Sequence, residues 1–91
     1  MVTAIVMLTV ERDMIDTVAE RIADMEGISE VYSVGGQIDL IAIIRCSNNE
    51  EMAEIVTGHL LKIKGIISSQ TMLAFKVYSR HDLESMFTIG M

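Results

Sequence analysis

The residues of this chain whose types and spacing could do chemistry together stand in one short stretch, Gly35-Gly36-Gln37-Ile38-Asp39. Glycine reaches positive φ without a Cβ clash, so the successive backbone N–H groups of Gly35, Gly36 and Gln37 can converge into a nest for an anion such as a carboxylate. Asp39 follows closely and can accept a charge-assisted hydrogen bond from an ammonium. An anion nest beside a carboxylate matches a small zwitterion. The same residues also have a plain structural use, a tight hairpin in which Asp39 bonds its own turn, because aspartate is at home in turns.

Other reactive side chains are scattered. His59 sits beside an apolar helix stripe and His81 stands next to Asp82, each without the oriented partner that acid–base catalysis requires. Cys46 is the single cysteine, which excludes an internal disulfide and a CxxC motif. No cluster of His, Cys and carboxylates has metal-ligand spacing, and no phosphate loop or nucleophile elbow occurs. The reading is a non-enzymatic module with no cofactor and no metal. A dimeric α+β barrel enzyme is the competing reading from another class, and its mark would be a closed polar cavity holding His59 or Cys46.

The elements that must position the Gly35–Asp39 stretch follow from periodicity. Val2 to Val10 is rich in Val, Ile, Leu and Met and suits a central strand. Ile15, Val18, Ala19, Ile22 and Met25 then form one apolar helix stripe, with Asp13 as N-cap and Gly27 as stop. Val31 to Cys46 reads as two strands joined through Gly35-Gly36-Gln37. Ser47 and Glu50 make a capping box that opens a second helix, whose stripe is Met52, Ile55, Val56, Leu60 and Ile63 and whose stop is Gly65. Gly58 weakens its middle and signals close approach of another backbone. Ile66 to Tyr78 is a last strand, and Ser79 to Phe87 a short amphipathic terminal helix.

That order, strand-helix-strand-strand-helix-strand with right-handed crossovers, predicts an α+β, ferredoxin-like βαββαβ fold: a four-stranded antiparallel sheet with both helices on one face. The strands are apolar on both parities, Ala4, Val6 and Leu8 against Ile5 and Met7 among others, and two helices can cover only one. A sheet of this size leaves an apolar plane of roughly 400 Å², the upper limit for a soluble monomer. A second copy related by a two-fold axis is the simplest cover, which predicts a homodimer of the dimeric α+β barrel type.

The totals narrow the partners. Ninety-one residues make one domain, 1–91, with a core at 1–78 and a tail at 79–91. The formal net charge of −6 and only four aromatic residues argue against direct nucleic-acid binding. No apolar run approaches the about 20 residues of a membrane span, and Met1 leads into Val2 without a basic leader, so a cytoplasmic location is expected.

The element order, the Gly-x-x-Asp step Gly36-Gln37-Ile38-Asp39 entering the third strand, and a Gly-Ile step after each helix resemble the effector-binding (RAM) domain of Lrp/AsnC transcriptional regulators. The likeness covers residues 1 to about 78, and the tail Tyr78-Ser79-Arg80-His81-Asp82-Leu83-Glu84 is similar to that of stand-alone members lacking the DNA-binding domain. The family pattern in the loop is Thr-Gly-x-Tyr-Asp; Gly35 replaces the threonine and Ile38 the tyrosine, while Gly36 and Asp39 match. The resemblance implies sheet-to-sheet dimers that assemble further into a ring such as an octamer. It also implies a free amino acid bound at Gly35, Gly36, Gln37 and Asp39, and transcription modulated by assembly with full-length Lrp/AsnC regulators. An ACT-like regulatory domain is the nearest alternative.

Overall fold

β1 (Val2–Val10) runs through the centre of the sheet, and its alternation sets the layers. The computed structural model describes residues 1–78 and residue 80. Ala4, Val6, Leu8 and Val10 are buried under the helices, while Thr3, Ile5, Met7 and Thr9 between them are only half-covered. β2 (Ile28–Ser33), β3 (Leu40–Cys46) and β4 (Ile66–Ala74) complete an antiparallel sheet of order β2-β3-β1-β4, the ferredoxin-like arrangement.

α1 (Ile15–Ala23) buries Val18 and Ile22 on the sheet. Its start differs from the sequence expectation. Glu11 donates its N–H to the Gly65 carbonyl at 2.8 Å, and Arg12–Met14 winds as a 3₁₀ turn, so Asp13 lies inside that turn and caps nothing. Neither Gly27 nor Gly65 is the helix stop expected: α1 ends at Ala23 with Asp24 as C-cap and the second segment at Lys62 with Ile63 extended, and the two glycines, at φ +92° and +107°, lie in the turns that lead on into the next strands. A Cβ on Gly27 would stand 2.5 Å from Ile55 Cδ1, so the glycine also allows α1's exit to pack on the second helix.

The second helical segment is three short pieces: α2 (Asn49–Ala53), a π-helical turn Glu54–His59 and a 3₁₀ turn Leu60–Lys62. Met52, Ile55, Val56 and Leu60 are buried, and the wider π turn keeps Leu60 on the core side. Gly58 admits no foreign backbone. The space its Cβ would take is filled by the Glu54 carboxylate at 2.7 Å.

The capping box forms one residue later than Ser47/Glu50. Asn48 Oδ1 accepts the Glu51 N–H at 2.8 Å, and Glu51 Oε2 accepts the Ser47 N–H at 3.1 Å. Asn48→Ala should therefore lower stability by about 0.5–2 kcal/mol in thermal or chemical melts, whereas Ser47→Ala, which removes a hydroxyl with no part in the box, should shift them by less than about 0.5 kcal/mol.

β4 ends at Ala74, not Tyr78. Ala74 pairs with Thr3, and Val2 is the one residue of β1 that lies beyond that pair, too little to carry the ladder on to Tyr78. The terminal helix expected over Ser79 to Phe87 lies outside the described residues, Arg80 excepted.

Candidate functional site

The Val34–Asp39 connection is a six-residue loop between the Ser33↔Leu40 pair, wider than a two-residue hairpin turn. The Val34 N–H donates to the Asp39 carbonyl at 3.0 Å and closes its base. Gly36 has φ +121°, a region where L-residues are strained, and a Cβ at Gly35 or Gly36 would meet nothing within 4 Å. Gly35, Gly36 and Gln37 are exposed, with Ile38 and Asp39 half-buried behind them.

Asp39 does more than close its own turn. Its N–H donates to the Leu8 carbonyl at 2.9 Å, and its Oδ2 accepts the N–H of Val10 at 2.8 Å. The carboxylate thus satisfies the last buried residue of β1 and fastens the loop to the central strand. Among the described residues Oδ1 makes no hydrogen bond.

Beside the loop's parent strands lies the uncovered sheet face. The register puts Ile5 between Ile43 and Met72, and Met7 between Ile41 and Gln70, all on that side. Its margin toward β2 is polar: Tyr32 donates its hydroxyl to Glu30 Oε2 at 2.6 Å, and Arg45 Nη1 donates to Ser29 Oγ at 2.9 Å. The Glu30 carboxylate, which holds the phenolic hydrogen, raises the Tyr32 pKa. An apolar centre with a polar rim is the anatomy of a protein interface.

The other sequence candidates do not join this loop. Cys46 is buried and its thiol approaches the Asn48 carbonyl at 3.4 Å. His59 lines an open concavity of about 410 Å³ with Met25, Glu26, Glu51, Glu54 and Ile55, and its Nε2 lies 3.5 Å from Glu54 Oε1. Cys46 is not among that lining. His81 lies outside the described residues. Among the described residues, no group of three or more His, Cys, Asp or Glu is placed to hold a metal ion, and no helix is long and apolar enough to cross a membrane. The Asp39–Val10 bond was missed from sequence because it spans 29 positions. The Glu54–His59 contact depends on the π turn; the glycine four residues after Glu54 was its one visible sign.

Comparison with known proteins adds the following. The family model for the Lrp/AsnC ligand binding domain matches residues 3–83. An uncharacterised helix-turn-helix-type transcriptional regulator of Pyrococcus horikoshii is 43 % identical over 58 residues, 64 % of this chain and 39 % of that protein. The chain therefore spans well under half the length of that curated relative. A protein of Thermus thermophilus, known from its crystal structure, superposes with a TM-score of 0.81 at 36 % identity, covering 88 % of this chain and all of that one. A transcriptional regulator of Neisseria meningitidis solved in complex with L-Met superposes with a TM-score of 0.77 over 87 % of this chain and 53 % of that one; at 14 % identity this likeness concerns the fold alone.

Proposed function

The chain belongs to the Lrp/AsnC ligand-binding family, and from that premise we propose that it is a regulatory module that takes a free amino acid at the Gly35–Asp39 loop and works through assembly of its sheet faces. The observation that carries this reading is the state of Asp39: one carboxylate oxygen is tied to Val10, the other is unused, and exposed amides of a glycine loop stand next to it. A ligand ammonium pairs with Oδ1, and its α-carboxylate lies on the amides of Gly35, Gly36 and Gln37. The loop is open on its outer side, so the remaining wall comes from another subunit. The complex of the Neisseria relative with L-Met makes amino acids the first ligands to test.

The role is regulatory rather than enzymatic, in keeping with the helix-turn-helix-type regulators among its relatives. A net charge of −6 repels a duplex backbone overall, so its effect on transcription runs through co-assembly with full-length regulators.

Titration calorimetry with the twenty amino acids tests the site. Asp39→Asn keeps an oxygen for the Val10 N–H but removes the charge that meets the ammonium. A charge-assisted hydrogen bond contributes about 1.5–3 kcal/mol, so this variant should bind about 10- to 150-fold more weakly with its fold intact. Asp39→Ala should lose the same affinity and also about 1–3 kcal/mol of stability, because the Val10 amide is left unpaired. Unchanged affinity in a folded Asp39→Asn protein would reduce the loop to a turn.

A further inference from the structure

The two helical segments pack mainly over β1, β2 and β3, and the helix side of β4 is left open. On that side the register sets Ser69 beside Leu8, Thr71 beside Val6 and Leu73 beside Ala4. The three β1 residues are fully buried, whereas all three β4 residues are exposed. Between β4 and the second helical segment runs an apolar groove of about 340 Å³, floored by Met52 and Val56 and walled by Ala53 and Thr57 on one side and by Thr71 and Leu73 on the other.

The chain carries an occupant of matching length, and it departs from the right place. Ala74 pairs with Thr3, and Cys46 pairs with Val2 just ahead of Asn49, so β4 ends at the end of the sheet where α2 begins. The chain bends at Phe75. A chain turned back there over the helix side runs beside α2 and in the same direction. Residues 75–79 suffice for that turn, because strand-to-helix connections take about 2–6 residues. The sequence that follows, Arg80-His81-Asp82-Leu83-Glu84-Ser85-Met86-Phe87, puts Leu83, Met86 and Phe87 on one helical stripe, with Arg80 on the same side. Leu83 and Phe87 would stand about 6 Å apart along a helix, the same as Ala53 and Thr57, and close to the about 6.6 Å between Leu73 and Thr71 along a strand. Arg80 precedes Phe87 by as many positions as Glu50, in the acidic first turn of α2, precedes Thr57. Spacing and charge therefore agree along the whole groove.

We propose that residues 80–87 dock as a helix in the groove between the second helical segment and β4 of their own chain. Leu83 rests against Leu73 and Ala53, Phe87 lies over Val56 between Thr57 and Thr71, and Arg80 meets Glu50. Eight residues are too few to hold a helix in water, so groove and helix form together. The tail becomes a third element of the helical layer and covers the strand that the other two leave open. This groove is on the opposite side of the sheet from Ile5 and Met7, so a docked tail leaves the proposed assembly face free.

Two measurements on the full chain test the docking. In the first, Phe87 is replaced by the photoreactive p-benzoylphenylalanine, and the irradiated protein is weighed under denaturing conditions and mapped by digestion. The adduct should join position 87 to Met52, Val56 or Thr71 within a single chain, at a mass close to 10.1 kDa. An adduct at twice that mass would put the tail on a second copy, and one outside the groove, or none, would leave the groove without it; each overturns the proposal. The second measurement is amide hydrogen exchange. Residues 83–88 should exchange at least about 10-fold faster in Leu73→Asp and in Phe87→Asp than in the wild type, with circular dichroism confirming that each variant keeps its fold. Leu73 is 52 % exposed, so an aspartate there is compatible with a folded subunit. Equal exchange in the wild type and both variants would overturn the docking, and the photo-crosslink decides the matter should either variant fail to fold.

Discussion

Ile5→Asp is expected to weaken the face-to-face contact by about two to four orders of magnitude. Ile5 is the centre of the uncovered face, flanked by Ile43 on β3 and Met72 on β4. Burying an isoleucine contributes about 1.5–3 kcal/mol, and a two-fold interface loses it twice, about 3–6 kcal/mol before the cost of an unpaired carboxylate is counted. In the isolated subunit the same side chain faces water, so the secondary structure should be kept. Sedimentation equilibrium over a concentration series reads the change; a dissociation constant within a few-fold of wild type would show that this face is not an interface.

Leu8→Ala should cost about 2–5 kcal/mol of unfolding free energy. Leu8 is fully buried, sits between Leu40 on β3 and Ser69 on β4, and its carbonyl accepts the Asp39 N–H, so a cavity here lies directly beneath the candidate site. For a domain of this size that is a large share of a total of about 5–15 kcal/mol. Its neighbour Met7 points to the other face, and Met7→Ala should spare the subunit's stability while weakening assembly. Denaturant melts at low protein concentration distinguish the two. Equal losses from Leu8→Ala and Met7→Ala would mean that the face opposite the helices is not open as described.

What could be read from the sequence was what repeats. Apolar residues on both parities of Val2–Val10 gave away a central strand with one uncovered face, and the stripe from Ile15 to Met25 gave a helix whose Val18 and Ile22 are the buried positions. Gly27 and Gly65 were legible as residues of positive φ, though they lie in the turns after the helices and not at the helix ends. Local degeneracy and distance hid the rest. Ser47 and Asn48 are both good caps, and each has a glutamate three residues on, so only the fold chooses Asn48. The π turn adds a residue without breaking the stripe, which leaves no trace in spacing. The end of β4 is decided by where β1 starts, more than sixty positions earlier. In the candidate site Gly36 and Asp39 stood out by type, but the use of Asp39 to fasten the loop to Val10 depends on a contact no local pattern encodes.

The most direct test of the amino-acid site is a crystal structure of the full chain grown with the amino acid that binds tightest in calorimetry. The ligand carboxylate should lie on the amides of Gly35 to Gln37 and its ammonium within about 3 Å of Asp39 Oδ1, with Oδ2 still holding the Val10 N–H. An amino acid found instead in the concavity beside His59, with the Gly35–Asp39 loop bare, would contradict the account.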